Sequence, residues 1–581
     1  MNPTRILKNL SLAGSTIIEH LGDDPAVLAL QLSRRLPART VRPAAEFAAG
    51  APGVFLPALA DLVRGRKEDL EAKLTAAAAA GPSPGLAVRL ADLAVAGGLP
   101  ELAEKFLAET PLRAKGRPAA EARLCWYRGD MSGALTALDQ GTGTRSEHRL
   151  RARLASELNV FDGWAPTLAK VQGFSSDANT VLHLLTNSLP ATGSGYAQRS
   201  QSLLHAQHKH GWKVHAVTRL GYPVQVGHLW APDVEELDGV TYHRLLPGKL
   251  PSGMAARLQL QAEAVLQLAM EVKPAVLHTT THFVNGLVTQ AVAEALDIPW
   301  VYEVRGQLAD TWASARGDEA RRSERYQKFI DREAETMRAA DAVATLGQAM
   351  QIGVAAAGVQ QEAIFLLPNS VGDNYLAEPL EPAVARERLG LPVRGQFIGT
   401  VSSLVEYEGL DDLLRAFAVL APQVPDATCL IVGDGAAAPG LKRLASGLGI
   451  AERVVFTGRV PREEAHLYHQ AMDFFVVPRK DLPVTRAVTP LKPVEALASA
   501  RPVVFSDLPA LHEVVRAGID GRAAPPEDPA SLARILQEVL EDDAARTLMG
   551  NAGRQYAVAT RTWSSLAETT VKRYMELGSR L

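Results

Sequence analysis

In Thr489-Pro490-Leu491-Lys492-Pro493-Val494-Glu495 a lysine and a carboxylate stand one helical turn apart, just after a proline that suits a helix start. The apolar run Phe474-Phe475-Val476-Val477 and the pair Arg479-Lys480 come before it. After it, Arg501-Pro502-Val503-Val504-Phe505 reads as another buried strand. A helix start offers unpaired N–H groups and the positive end of a dipole, so the chemistry it favours is the holding of phosphate. Lys492 would add a point charge there, and Glu495 could accept hydrogen bonds from ribose hydroxyls. The plain alternative is an ordinary βαβ unit with a solvated lysine and glutamate.

Similar units recur along the chain. The strand Asn179–Leu185 runs into Gly193-Ser194-Gly195-Tyr196 and a helix, a phosphate-facing turn that lacks the third glycine of a dinucleotide fingerprint. Cys429–Val432 leads into Gly433-Asp434-Gly435, and Val454–Thr457 into Gly458-Arg459-Val460. Trp300–Val304 carries Glu303 near its end, with Arg305 and Gly306 following. Strand ends are where open α/β sheets bind ligands, so a cleft role for Glu303 and Arg305 is favoured over a structural ion pair. His278 and His282 flank the end of a neighbouring strand. His205, His208 and His210 cluster without a carboxylate and read as a solvated helix terminus, not a metal site. Glu513 reads as a solvated helical carboxylate.

These units need several domains, and 581 residues exceed one core. Residues 1–172 are rich in Ala and Leu with helical periodicity. The turn Tyr127-Arg128-Gly129-Asp130 between amphipathic stretches is similar to degenerate tetratricopeptide-type helix pairs, and a plain helical bundle fits equally. This region shows no catalytic constellation and is expected to be an interaction or docking module for a protein partner. Lys and Arg number 61 against 64 Asp and Glu, a formal net charge of −3 that argues against nucleic-acid binding. The only cysteines, Cys125 and Cys429, imply neither a disulfide framework nor a zinc site. With no long apolar run or signal pattern, the expectation is a cytoplasmic protein, at most peripheral at the inner membrane face.

From about Asn179 onward the chain resembles family 4 retaining glycosyltransferases, whose GT-B fold joins two Rossmann-like domains. Within that family it resembles a subgroup carrying Tyr302-Glu303-Val304-Arg305-Gly306 and Thr489-Pro490-Leu491-Lys492. The resemblance implies an α/β fold preceded by the all-α region. The first Rossmann domain, on the acceptor side, would span 173–375 and the second, on the donor side, 376–555. A C-terminal helix over 556–581 would cross back to the first. It implies transfer of a sugar from a nucleotide diphosphate sugar to a saccharide or lipid-linked acceptor, in surface polysaccharide or glycolipid assembly. The donor is a co-substrate, and no cofactor or metal is expected. Lys492, Arg479 and Glu495 become the catalytic candidates. Gly193, Gly195, Ser403, Gly433, Arg459, Val460, Thr489, Pro490 and Leu491 join Lys492 and Glu495 as donor-binding candidates, and His278, His282, Glu303 and Arg305 are acceptor-side candidates.

Three departures stand against the family pattern. Ala487 replaces the first glutamate of the usual Glu-x7-Glu, and Ser403 and Glu408 stand where an Arg and a Lys usually neutralise the diphosphate. Arg479 and Lys492 are expected to supply that charge from the facing loop, with Lys480 and Arg486 solvent-exposed. A catalytically silent GT-B scaffold and a nucleotide-sugar 2-epimerase are the alternatives.

Overall fold

The computed structural model describes residues 3–23, 26, 29, 30, 33, 38–141 and 143–579. The first lobe is built on β1 (Asp177–Leu185), β2 (Lys213–Thr218), β3 (Val234–Leu237), β4 (Val240–His243), β5 (Pro274–Thr280), β6 (Trp300–Val304), β7 (Ala342–Thr345) and β8 (Ile364–Leu366). They form one sheet in the order β3-β4-β2-β1-β5-β6-β7-β8, parallel except where β3 runs against β4. The second lobe holds β9 (Gln396–Val401), β10 (Ala427–Val432), β11 (Val454–Gly458), β12 (Phe474–Val477), β13 (Val503–Ser506) and β14 (Gly521–Ala524). Their order is β11-β10-β9-β12-β13-β14, all parallel. Central strands such as Phe474–Val477 are buried throughout because helices cover both faces, which is why they read as unbroken apolar runs.

Strand order places the loops that matter. In the second sheet the winding reverses between β9 and β12, which are hydrogen-bonded neighbours. The loops leaving their carboxyl ends, which carry Glu408 and Arg479, therefore meet at one crevice. In the first sheet the reversal lies between β1 and β5, so the loop after Leu185 and the one after Thr280 open onto a common space.

The crossing helix expected over 556–581 begins later, at Trp563, because residues 556–560 end a preceding helix that starts at Asp543. Thr562 ends the run between Asp543–Thr560 and Trp563–Gly578 by accepting a hydrogen bond from the Ser565 N–H at 3.3 Å, as an N-cap does. The first of the two packs on the second lobe through Ala557. The last one buries Trp563, Leu566, Ala567, Tyr574 and Leu577 among β-strand residues of the first lobe. The two crossings between lobes run side by side, tied where the Val371 N–H donates to the Arg561 carbonyl at 2.9 Å.

The N-terminal helices make two small cores of their own, around Leu90, Leu93 and Phe106 and around Ala122, Ala134 and Leu150. The helix Arg145–Phe161 joins Val160 and Phe161 to the main core of the first lobe. The Tyr127–Asp130 turn docks there as well. Arg325 N–H donates to the Gly129 carbonyl at 2.9 Å, and Arg316 donates to the Tyr127 carbonyl at 3.1 Å while its guanidinium lies 4.6 Å from the Tyr127 ring. At the chain's start, Asn9 donates to the carbonyls of Leu229 and Ala231, and Leu12 packs with Leu220 and Val224. The docking surface read from the sequence is thus engaged by the chain's own first lobe. Among the described residues no helix is long and apolar enough to cross a membrane.

Candidate active site

Glu408 is the hub of the second-lobe crevice. Its carboxylate accepts from Arg479 Nε at 3.2 Å and Nη2 at 3.1 Å, and lies 2.6 Å from Lys492 Nζ. Burial alone would raise this carboxyl; the two cations outweigh it and bring it down to about 2. Gly409 makes the approach possible: with φ +67°, a Cβ there would sit 1.7 Å from the Pro478 carbonyl oxygen. The two side chains read as freely available cations are therefore shared with a carboxylate, and the three groups together carry a net charge of +1. Arg479 is the more altered of the two. It is 6% exposed, and its remaining Nη1 donates to the Val488 carbonyl at 2.8 Å, so it braces the loop and cannot grip a diphosphate with its fork. Lys492 keeps 19% of its side chain exposed.

The helix after this loop is Lys492–Ala498, so Pro493, not Pro490, occupies its first turn. Thr489 is buried with its Oγ1 unpaired, and its carbonyl accepts from Asn369 Nδ2 across the lobes at 2.8 Å. Pro490 is buried and Leu491 half-buried. Glu495 faces Tyr375 and His469, whose Nε2 is 3.8 Å away. Burial pushes the Glu495 carboxyl up to about 7, against the pull of Arg462 and Lys492. Its unfolded value is the ordinary 4.5. The folded protein therefore holds this proton more tightly, and the resulting stability is complete below pH 4.5 and lost as pH rises through 7. Glu495→Gln is expected to remove that slope, worth at most about 3 kcal/mol. Urea denaturation of both proteins at pH 5 and pH 8 measures it.

Ser403 is exposed, as is Arg459, while Val460 is half-buried against the second-lobe core. Gly433 serves the fold itself: at φ +128° a Cβ would lie 1.9 Å from the Ser402 carbonyl oxygen, so the glycine lets two loops cross. Gly193 and Gly195 are different, since no protein atom comes within 4 Å of a Cβ built on either. Ser194 between them caps the helix Gly195–Lys209. Lys480 pairs with Asp411 at 3.0 Å instead of standing free in solvent; exposed Arg486 pairs with Asp481 at 2.5 Å.

On the first-lobe side the structure overturns two candidates. Glu303 and His278 are both wholly buried. Glu303 accepts from Arg199 Nη2 at 2.6 Å and from Arg305 Nη2, and His278 Nδ1 bonds the Tyr574 hydroxyl of the last helix. The strand-end position favoured a cleft role for Glu303, but its side chain turns into the layer beneath the sheet's edge, where Arg199 rises from Gly195–Lys209 to meet it. This is the structural ion pair. Arg305 and His282 do face a cavity of about 470 Å³. Burial pushes the His282 imidazole down to about 4, so the ring is neutral there. The histidines at the end of Gly195–Lys209 go to separate partners, His205 to the Asp238 carbonyl and His210 to Ser564.

Tyr196, not singled out from the sequence, links the two sides. Arg305 Nη1 donates to its carbonyl at 3.4 Å, and desolvation raises its phenol above the ordinary value while Arg305 from the first lobe and Arg479 from the second both pull it down. Glu513 also spans the lobes: its carboxylate accepts from the N–H groups of Gln348 and Ala349, both at 2.6 Å, capping the first-lobe helix Gln348–Ala356. The reading of a solvated carboxylate is corrected accordingly.

Two facing Rossmann-like lobes, with a helix returning from the second to the first, constitute the GT-B fold. In chain order, residues 194–370 match the family described as the Glycosyl transferase 4-like domain and residues 383–556 that described as Glycosyl transferases group 1, so both lobes carry glycosyltransferase domains. Sucrose-phosphate synthase from Thermosynechococcus elongatus shares the fold with a TM-score of 0.57 and 21% identity, over 69% of this chain and all of that one. Anabaena HepE, solved with UDP and glucose, does so at 0.53 and 17%, over 68% of this chain and 99% of that one. The GDP-mannose-dependent alpha-(1-6)-phosphatidylinositol monomannoside mannosyltransferase of Mycolicibacterium smegmatis is 34% identical over 200 residues, 34% of this chain and 52% of that protein. The D-inositol 3-phosphate glycosyltransferase of Streptomyces coelicolor is 34% identical over 204 residues, 33% of this chain and 43% of that protein. The chain spans about half the length of the curated relatives it matches.

Proposed function

We propose that the protein is a retaining hexosyltransferase that moves a sugar from a nucleoside diphosphate donor to a saccharide or glycolipid acceptor. The observation that carries the reading is Lys492, partly exposed at the crevice where the β9 and β12 loops meet and held 2.6 Å from the buried Glu408. An ammonium fixed in this way meets the charge that grows on a leaving diphosphate without having to reorganise. The donor lies against the second lobe and the acceptor in the first-lobe cavity beyond Tyr196, and closing the lobes brings the two together. UDP in HepE and GDP-mannose in the name of the mycobacterial relative support a nucleoside diphosphate sugar as the donor class. Attack from the donor's own face, with its phosphate taking the acceptor proton, accounts for retention without a second enzyme carboxylate. Incubation with UDP- and GDP-sugars and a saccharide or glycolipid acceptor, followed by anomeric analysis of the product, tests it; an inverted linkage would overturn the retaining assignment.

One observation favours a second reading, a GT-B scaffold that binds donor without turning it over: Glu408 cancels half of the positive charge offered by Arg479 and Lys492. Tight nucleotide-sugar binding with neither transfer nor donor hydrolysis would select it.

A further inference from the structure

The first-lobe cavity is not made by the glycosyltransferase lobe alone. Glu19, Arg153 and Glu157 of the N-terminal helices line it together with Arg257 and Arg305 of the lobe. Ion pairs hold this wall in place: Arg257 Nη2 reaches Glu19 at 2.6 Å, and Arg325 Nη1 reaches Glu157 at 3.1 Å. Ser156 Oγ also accepts from the Ala255 N–H at 3.1 Å, so the helix Arg145–Phe161 is pinned to the rim. At about 470 Å³ the space is of the size that encloses a small organic ligand.

The charges around the cavity do not cancel. Glu19 and Glu157 are each matched by one arginine, Arg153 and Arg219 add further positive groups to the lining, and Glu303 is the single carboxylate shared by two, Arg199 and Arg305, leaving one positive charge in that buried cluster. Arg199 spends its donors on Glu303, on Asn369 Oδ1 and on the carbonyls of Leu367 and Pro368. Arg305 is 3% exposed, faces the cavity, and has its Nε without a partner. A buried surplus charge is costly unless a counter-charge arrives. Around it, Thr186 and Asn187 offer neutral hydroxyl and amide groups of the kind that bind sugar hydroxyls, while Asn285 spends its Nδ2 on Thr186 Oγ1 and the Thr280 carbonyl and Thr281 Oγ1 accepts from the Arg305 N–H.

We infer that the N-terminal helices complete the acceptor pocket, and that this pocket takes a sugar or polyol unit bearing one anionic group, phosphate or carboxylate, seated toward Arg305. The inference rests on the acceptor side being the first lobe, as in the proposed function. The helical region is then a recognition element for the acceptor, placed where a charge on Glu19 is felt by the bound anion.

Isothermal titration of the full chain at low salt with glucose 6-phosphate, glucuronate and glucose tests this. Both charged sugars, or one of them, are expected to bind at least tenfold more tightly than glucose, and which one distinguishes phosphate from carboxylate. Arg305→Gln should abolish that preference. Glu19→Gln, which frees Arg257 from its partner, should tighten the charged sugar by about threefold and leave glucose unchanged. If Arg305→Gln does not fold, Glu19→Gln decides alone. Equal affinity for charged and neutral sugars, no sugar bound, or a Glu19→Gln protein indistinguishable from the parent would each overturn the inference. UDP and GDP titrations in parallel separate the two failures: retained nucleotide binding confines the failure to the acceptor pocket, and lost nucleotide binding sinks the transferase reading itself.

Discussion

Lys492→Ala is expected to lower turnover of the nucleotide-sugar donor by about 10²–10³-fold, the usual cost of removing one preorganised group from a developing negative charge. Folding should survive, because Arg479 still satisfies Glu408 through Nε and Nη2 once the lysine is gone. A melting temperature within about 4 °C of the parent is the accompanying expectation. Release of nucleoside diphosphate is the direct measurement. Unchanged release would remove Lys492 from the chemistry, whatever its effect on binding. Arg479→Ala is expected to differ in kind: it takes both the brace to Val488 and the main partner of Glu408, so stability falls together with activity.

Glu303→Gln should bring the largest loss of stability, about 3–5 kcal/mol, since the substitution leaves Arg199 and Arg305 buried side by side with no counter-charge. His278 cannot compensate, because an imidazole supplies no negative charge in either protonation state. Chemical denaturation of the full chain measures the effect. A loss below about 1 kcal/mol would place water or an anion beside the pair and contradict the buried network. Adding glucose 6-phosphate is expected to recover part of the loss, since a ligand bound only by the folded state stabilises it by mass action.

Much of this protein was legible in its residue order. Buried parallel strands announce themselves as apolar runs such as Cys429–Val432, and glycines mark where loops turn sharply at their ends, so the α/β class could be expected from one-dimensional pattern, while the GT-B architecture was implied only by the resemblance to family 4 glycosyltransferases. The helical character of the N-terminal residues follows in the same way from Ala and Leu at helical spacing. Lys492 could be singled out because a lysine at a helix start suits phosphate, and the resemblance to the subgroup with Thr489-Pro490-Leu491-Lys492 set it above a merely solvated lysine.

What no pattern along the chain contains is which charges meet. Glu408 and Arg479 lie 71 residues apart and touch only because β9 and β12 are neighbours at the sheet's reversal point. Glu303 was placed correctly at a strand end, yet whether it faced the cleft or the interior depended on Arg199, more than a hundred residues earlier, turning inward from a helix that otherwise looks merely amphipathic. The N-terminal helices read as a separate arm, because docking onto another lobe depends on surface shape and on ion pairs such as Glu19 with Arg257, 238 residues apart. Periodicity is a property of neighbours in the chain, so it reveals strands, helices and turns; electrostatic pairing and pocket walls are properties of neighbours in space, and only folding creates those.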